Sequence, residues 1–172
     1  HALADAGERM DVWDEAFYPL ATGTWTRGDE DAVVVGSLTK LFACPGLRLG
    51  YVLADDAPAL AARQPAWPVN GLALAALPDL LADADLPGWH RAIAERRQQL
   101  ADLLATHGLI AVAGDAPWVL TPTAGLRERL APHGVVVRDC ASFGLDGWAR
   151  VAVPDDRGFE RLAAALPAAL DP

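Results

Sequence analysis

Ser37-Leu-Thr-Lys40-Leu-Phe-Ala-Cys-Pro-Gly-Leu-Arg48-Leu-Gly-Tyr51 follows the apolar run Ala32 to Val35 and sets a hydroxyl, a lysine and an arginine at fixed offsets. A continuous apolar run bounded by Asp31 and Gly36 reads as a strand covered on both faces. Pro45 and Gly46 allow the chain to turn back so that Arg48 can face Lys40. Taken alone, Lys40 is an ordinary solvated lysine; its setting changes that reading. A lysine that attacks an aldehyde must first lose its proton, which calls for partial desolvation and nearby positive charge. Arg48 supplies the charge, and its guanidinium fork together with the Ser37 hydroxyl suits phosphate oxygens. The stretch is therefore suited to a phosphorylated aldehyde held through Lys40.

Before this segment, Met10 to Phe17 reads as a short strand with acidic residues at its carboxyl end, followed by a polar loop from Thr22 to Glu30. After it, Leu49 to Ala54 is another apolar run of the strand type. Helical patterns follow at Asp56 to Arg63, at Val69 to Ala82 with a break near Pro78, and at Pro87 to His107, with Gly108 as its C-cap. In the long segment Trp89, Ile93, Leu100, Leu103 and Leu104 fall on one side, and Arg91, Glu95, Arg96 and Gln99 largely on the other. Short strands are expected at Leu109 to Ala113, Trp118 to Thr121, Val135 to Arg138 and Ala149 to Val153, alternating with helices at Ala124 to Ala131 and Asp156 to Leu170. The pattern is α/β: part of a larger α/β domain over 1–82, then a small α+β domain over 83–172, with the boundary near residues 78 to 87.

Composition narrows the function classes. With 172 residues, 52% of them hydrophobic, the chain reads as folded and soluble. A formal charge of −9 opposes non-specific binding to nucleic acid or to an anionic membrane surface and leaves small molecules and protein as partners. Cys44 and Cys140 make neither a disulfide framework nor a zinc pattern, which fits a reducing, cytoplasmic setting. Pro78, Asp79, Asp83 and Asp85 interrupt the longest apolar stretch, so it cannot span a bilayer, and no secretory signal opens the chain. The chain opens on His1 and is in strand-like sequence within a few residues, which reads as a fragment.

The Ser-x-x-Lys and Gly-x-Arg-x-Gly pattern resembles the fold-type I enzymes that use pyridoxal 5′-phosphate, in the class I/II aminotransferase superfamily. The resemblance implies the C-terminal part of such a transferase: a piece of the large-domain mixed sheet and the small C-terminal domain. It assigns Lys40 the Schiff base with the cofactor and gives Ser37 and Arg48 the cofactor phosphate. Asp14-Glu15-Ala16-Phe17 looks like the family's Asp-x-Ala-Tyr segment, so Asp14 is expected to pair with the pyridinium nitrogen. Phe17 departs from that pattern, because the tyrosine hydroxyl that reaches the cofactor O3′ in many relatives is missing. Tyr18 would point to the other face if the strand continues.

Toward the other end, Arg138-Asp-Cys140 and Leu145-Asp-Gly-Trp-Ala-Arg150-Val-Ala-Val153 resemble the family's C-terminal domain. Arg150 matches the arginine that grips the substrate α-carboxylate. Arg138 either binds a substrate phosphate or pairs with Asp139. Asn70 is a helix-start residue or a substrate contact, and Trp67 reads as core or interface packing. Ala116-Pro-Trp118 stands where relatives carry Ala-Asn-Phe, which puts one polar contact to the substrate in doubt. The wording of these segments looks most like the L-threonine-O-3-phosphate decarboxylases of cobalamin biosynthesis, with histidinol-phosphate aminotransferases as the close alternative and a non-catalytic remnant of the fold as a third reading. The resemblance further implies a phosphorylated amino acid substrate and a homodimer, and it leads us to expect weak cofactor binding by this chain alone.

Overall fold

In the computed structural model, which describes residues 11–28 and 32–170, the first sheet has three strands in the order β1-β2-β3: Asp11–Asp14, Ala32–Gly36 and Tyr51–Leu53. β1 runs parallel to β2 with Asp14 opposite Val35, and β3 is antiparallel to β2 with Tyr51 opposite Gly36, so the sheet is mixed. The expected strand start at Met10 and the expected loop end at Asp29 and Glu30 lie outside the described residues. The strand ends at Asp14 rather than at Phe17, because Pro19 favours a helix start: α1 covers Tyr18–Thr22 and closes on Gly23 at φ 75°. The question of which strand face Tyr18 occupies therefore does not arise.

Only part of the expected two-sided burial is found. Val33 and Val34 are buried, but Val35, Val52 and Leu53 are exposed, since β1 and β3 flank β2 without further strands beside them. Beyond α1, whose N-cap Phe17 makes no side-chain cap bond, this unit has α2 (Leu38–Leu41), α3 (Ala57–Ala61) and α4 (Gly71–Ala82). Their N-caps share one device, a side-chain oxygen accepting the backbone N–H three residues on: Ser37 from Lys40, Asp56 from Ala59 and Asn70 from Ala73. α4 runs unbroken through Pro78. A proline removes one backbone donor but has a helix-compatible φ, so the expected break does not occur. Trp67 is 94% exposed at φ 58° and is not core.

The chain divides into two compact units between Gly88 and Trp89, inside the first turn of α5 (Leu86–Thr106), which Asp85 caps through the Gly88 N–H. The second sheet is antiparallel throughout, in the order β4-β5-β7-β6, with β4 Val112–Ala113, β5 Trp118–Thr121, β6 Arg138–Asp139 and β7 Ala149–Ala152. β4 and β6 are shorter than expected. α6 spans Leu126–Leu130, continues as a 3-10 turn over Ala131–His133 around Pro132, and ends at Gly134 with φ 75°. α7 covers Asp156–Leu170, and its Leu162, Ala165, Leu166 and Ala169 recur at helical spacing into a core shared with Leu100, Leu104, Val119, Leu126 and Leu130. Arg96, expected on the polar side of α5, instead pairs with Asp156 and lies 5.5 Å from the Phe159 ring.

Two expectations follow. Leu104 is fully buried and Leu72 is 77% exposed, so Leu104→Ala should lower unfolding stability by about 2–5 kcal/mol while Leu72→Ala changes it by less than about 0.5 kcal/mol in denaturant titration. Burial, and secondly the charge of Glu15, push the Tyr51 phenol above its ordinary 10.0. The folded state thus holds this proton more tightly than the unfolded chain. The resulting stability is complete below pH 10 and is lost as pH rises through the folded value, so Tyr51→Phe should reduce the alkaline loss of stability. An equal alkaline loss in the variant would contradict this.

Candidate functional site

The loop between α2 and β3 is shaped by one residue whose role the sequence did not reveal. Thr39 N donates to Leu49 O at 2.9 Å, its Oγ1 donates to the same carbonyl at 2.9 Å, and Leu49 N donates back to Oγ1 at 2.7 Å. Thr39 and Leu49 are the chain neighbours of Lys40 and Arg48, so this clamp brings the two basic residues to the ends of one closed loop. Ala43 and Arg48 lie in the left-handed region at φ 49° and 50°, a conformation costing non-glycine residues about 1–2 kcal/mol each. Asn70 helps to hold the strained end: its Nδ2 donates to Leu47 O at 2.7 Å while its Oδ1 caps α4. Asn70 is thus a helix-start residue that also ties down the Arg48 loop, and both ends of its amide are engaged inside the chain.

Asp14 ends β1 and Ser37 follows the end of β2, its parallel neighbour, so the two sit at the carboxyl ends of adjacent parallel strands. That is the end of an α/β sheet where ligands collect. Gly36 and Gly50 let β3 start close beside this edge: a Cβ at Gly36 would lie 2.0 Å from Tyr51 Cζ, and one at Gly50 2.9 Å from Gly36 O. Ser37 Oγ accepts the Lys40 N–H at 3.3 Å, and Lys40 Nζ stands 5.3 Å over the Phe17 ring. Phe17 therefore presents a ring face to the lysine where the family pattern has a hydroxyl. Asp14 Oδ1 accepts the Ala16 N–H at 2.9 Å. Lys40, Arg48 and Asp14 are all exposed, so the partial desolvation expected around Lys40 is not supplied by the described residues of this unit.

The second unit carries the other arginines. Arg138 on β6 and Arg150 on β7 are direct cross-strand partners. Arg150 lies 4.9 Å from the Trp118 ring and 5.7 Å from that of Phe143, while Arg138 lies 5.1 Å from Phe143 and donates to Ser142 Oγ at 3.0 Å. Asp139 does not pair with Arg138; its Oδ1 accepts the Ala141 N–H at 2.8 Å. Among the described residues neither arginine has a carboxylate partner. Like charges placed directly opposite on adjacent strands repel, so this arrangement is suited to an anionic guest. Phe143 and Ser142 were missed in the sequence because they sit in the turn Ala141–Phe143, where only the fold brings them to the arginines.

Among the described residues no helix is long and apolar enough to cross a membrane, and no group of three or more His, Cys, Asp or Glu could hold a metal ion. The donor set of the first unit fits pyridoxal phosphate: a primary amine and a guanidinium carried at the ends of the clamped loop, the hydroxyl that caps the helix of the amine, and a carboxylate on the adjacent parallel strand.

Comparison with known proteins agrees with this chemistry. Residues 2–166 match the family model described as aminotransferase class I and II. The histidinol-phosphate aminotransferase of Symbiobacterium thermophilum is 37% identical over 174 residues, covering 92% of this chain and 47% of that protein. The threonine-phosphate decarboxylase of Salmonella typhimurium is 35% identical over 184 residues, covering 96% of this chain and 50% of that protein. The solved histidinol-phosphate aminotransferase from Clostridium acetobutylicum superposes with a TM-score of 0.80 at 26% identity, over 96% of this chain and 55% of that one. The chain spans about half the length of the curated relatives it matches. From the motif at Lys40 to the antiparallel sheet that carries Arg150, the chain belongs to the aminotransferase class I and II family, whose enzymes work with pyridoxal phosphate.

Proposed function

We propose that this chain serves a pyridoxal-phosphate enzyme acting on a phosphorylated amino acid, with threonine-phosphate decarboxylation as the preferred reaction. The observation that carries this reading is the cross-strand pair Arg138 and Arg150 around the Phe143 ring. Two guanidinium groups without carboxylate partners among the described residues suit a substrate that brings two anions on one molecule. Threonine phosphate has both a carboxylate and a phosphate. Histidinol phosphate has the phosphate alone, so a transaminase would fill the two arginines in turn with different substrates.

In this reading Lys40 holds the cofactor aldehyde, Ser37 and Arg48 hold its phosphate, and Asp14 keeps a proton on the ring nitrogen. The bound cofactor supplies an electron-accepting ring for the bond that breaks at the substrate α-carbon. Arg150 binds the substrate carboxylate, Arg138 its phosphate, and Asn70 acts through the loop that carries Arg48. Phe17 offers no hydroxyl at the reacting centre, and the Lys40 amine is left as the group that donates or removes a proton at the α-carbon.

On a full-length version, carbon dioxide release from threonine phosphate should exceed glutamate formation from histidinol phosphate and 2-oxoglutarate; the reverse order would assign the transaminase reaction instead. Arg138→Ala should raise KM for threonine phosphate about 10- to 100-fold, the size expected for one lost charge-assisted bond, and change turnover of unphosphorylated threonine little. Equal effects on both substrates would remove Arg138 from phosphate binding. Thr39→Val should cut borohydride-trapped labelling of Lys40 by pyridoxal phosphate about tenfold, because it removes both side-chain bonds of the clamp, whereas Thr39→Ser should label normally.

A further inference from the structure

Glu15 stands one residue beyond Asp14 and takes no part in the chemistry above. It is only 3% exposed; Oε1 accepts the Arg27 N–H at 3.2 Å, and Oε2 is buried with no hydrogen-bond partner among the described residues. Its own N–H donates to Val35 O at 2.8 Å, extending the β1-β2 pairing by one residue. Every residue of β1 itself is exposed. Glu15 is therefore the first buried residue among those described, and it holds the strand where the strand's own side chains do not.

The loop Gly23 to Gly28 lies over this anchor and is fastened at three points. Arg27 N–H bonds to Glu15, the Arg27 guanidinium stacks 3.9 Å from the Trp13 ring, and Trp25 O accepts the Tyr51 hydroxyl at 3.2 Å. Trp13 belongs to β1 and Tyr51 to β3, so the loop ties the two strands that flank β2. By the two-residue alternation of a strand, Trp13 and Glu15 share one face and Asp14 takes the other. Fixing Glu15 beneath the loop therefore fixes the face that Asp14 presents.

We propose that Glu15 is a positioning residue for Asp14: through Arg27 and Tyr51 it uses the 23–28 loop as a strap that locks the rotation of β1 and joins it to the strand behind Arg48. The link to the cofactor rests on the function proposed above; the strap itself does not. A carboxylate suits the position because it reaches a backbone N–H twelve residues away, which an apolar side chain in the same space would leave unpaired.

The test uses limited trypsin digestion of the full chain, reading cleavage after Arg27, together with pyridoxal-phosphate and borohydride labelling of Lys40 read by mass spectrometry. Glu15→Ala should speed cleavage after Arg27 about tenfold, as local opening becomes easier, and lower Lys40 labelling by a similar factor. Glu15→Gln should restore both, since its amide oxygen can accept the same N–H. Tyr51→Phe, which releases the other end of the strap and leaves Glu15 in place, should also speed the cleavage, and it decides the matter if Glu15→Ala does not fold. Unchanged cleavage in Glu15→Ala, or in Tyr51→Phe, overturns the strap, and so does a Glu15→Gln variant as impaired as Glu15→Ala. Absence of Lys40 labelling in an unsubstituted full-length version would count against the cofactor reading, while Arg27 cleavage would still decide the role of Glu15.

Discussion

The first unit depends on the clamp between Thr39 and Leu49. Three hydrogen bonds between two residues ten positions apart close the loop that carries Lys40 at one end and Arg48 at the other. Closing a loop of this size costs entropy, and two left-handed residues inside it add strain. The clamp meets that cost with bonds that are largely shielded, Leu49 being only 5% exposed. Asn70 reinforces it from α4 by holding the carbonyl of Leu47, next to the strained Arg48. The Lys40 amine and the Arg48 guanidinium are thereby carried at the two ends of one closed loop, as the hold on a phosphorylated aldehyde proposed above needs.

The same part of the molecule shows what a sequence can and cannot reveal. Ser37, Lys40 and Arg48 stand out in the sequence because the chemistry proposed for them depends on short-range offsets, and Asp14 stands out because it ends a strand in a recognisable segment. The helix starts at Asp56 and Asn70 are legible for the same reason, since a cap acts over three residues. Thr39 sits inside the motif yet gives no sign that its hydroxyl reaches a residue ten positions on. Glu15 gives less still: its neighbour looks like the functional carboxylate, and burial of one acid beside an exposed one is a property of the sheet and of the loop packed on it. The break expected at Pro78 fails in the opposite direction. A local rule exists, but it describes a lost hydrogen bond rather than an obligatory helix end.

In the second unit legibility is limited by strand register. Arg138 and Arg150 are twelve residues apart, and nothing in that spacing says that they meet. They meet because β6 and β7 pair antiparallel across the turn at Ala141–Phe143. The same turn puts Phe143 within 6 Å of both guanidinium groups, so one ring face serves two cations. The aromatic contacts with Trp118 and Phe143 offset part of the repulsion, but they are weak beside a full countercharge.

A surface arginine that only needed solvation would have no reason to stand opposite another. Structural arginines of this unit behave differently: Arg96 pairs with Asp156, and Arg97 bonds to the carbonyls of Asp115 and Ala116. Arg96 ties α5 to the first residue of α7, Arg97 ties it to the loop before β5, and both meet acceptors within the chain. Arg138 and Arg150 have a hydroxyl and aromatic faces instead, neither of which carries negative charge. Among the described residues this pair stands directly opposed without a carboxylate, and an anionic guest of the kind proposed above would turn their mutual repulsion into shared attraction.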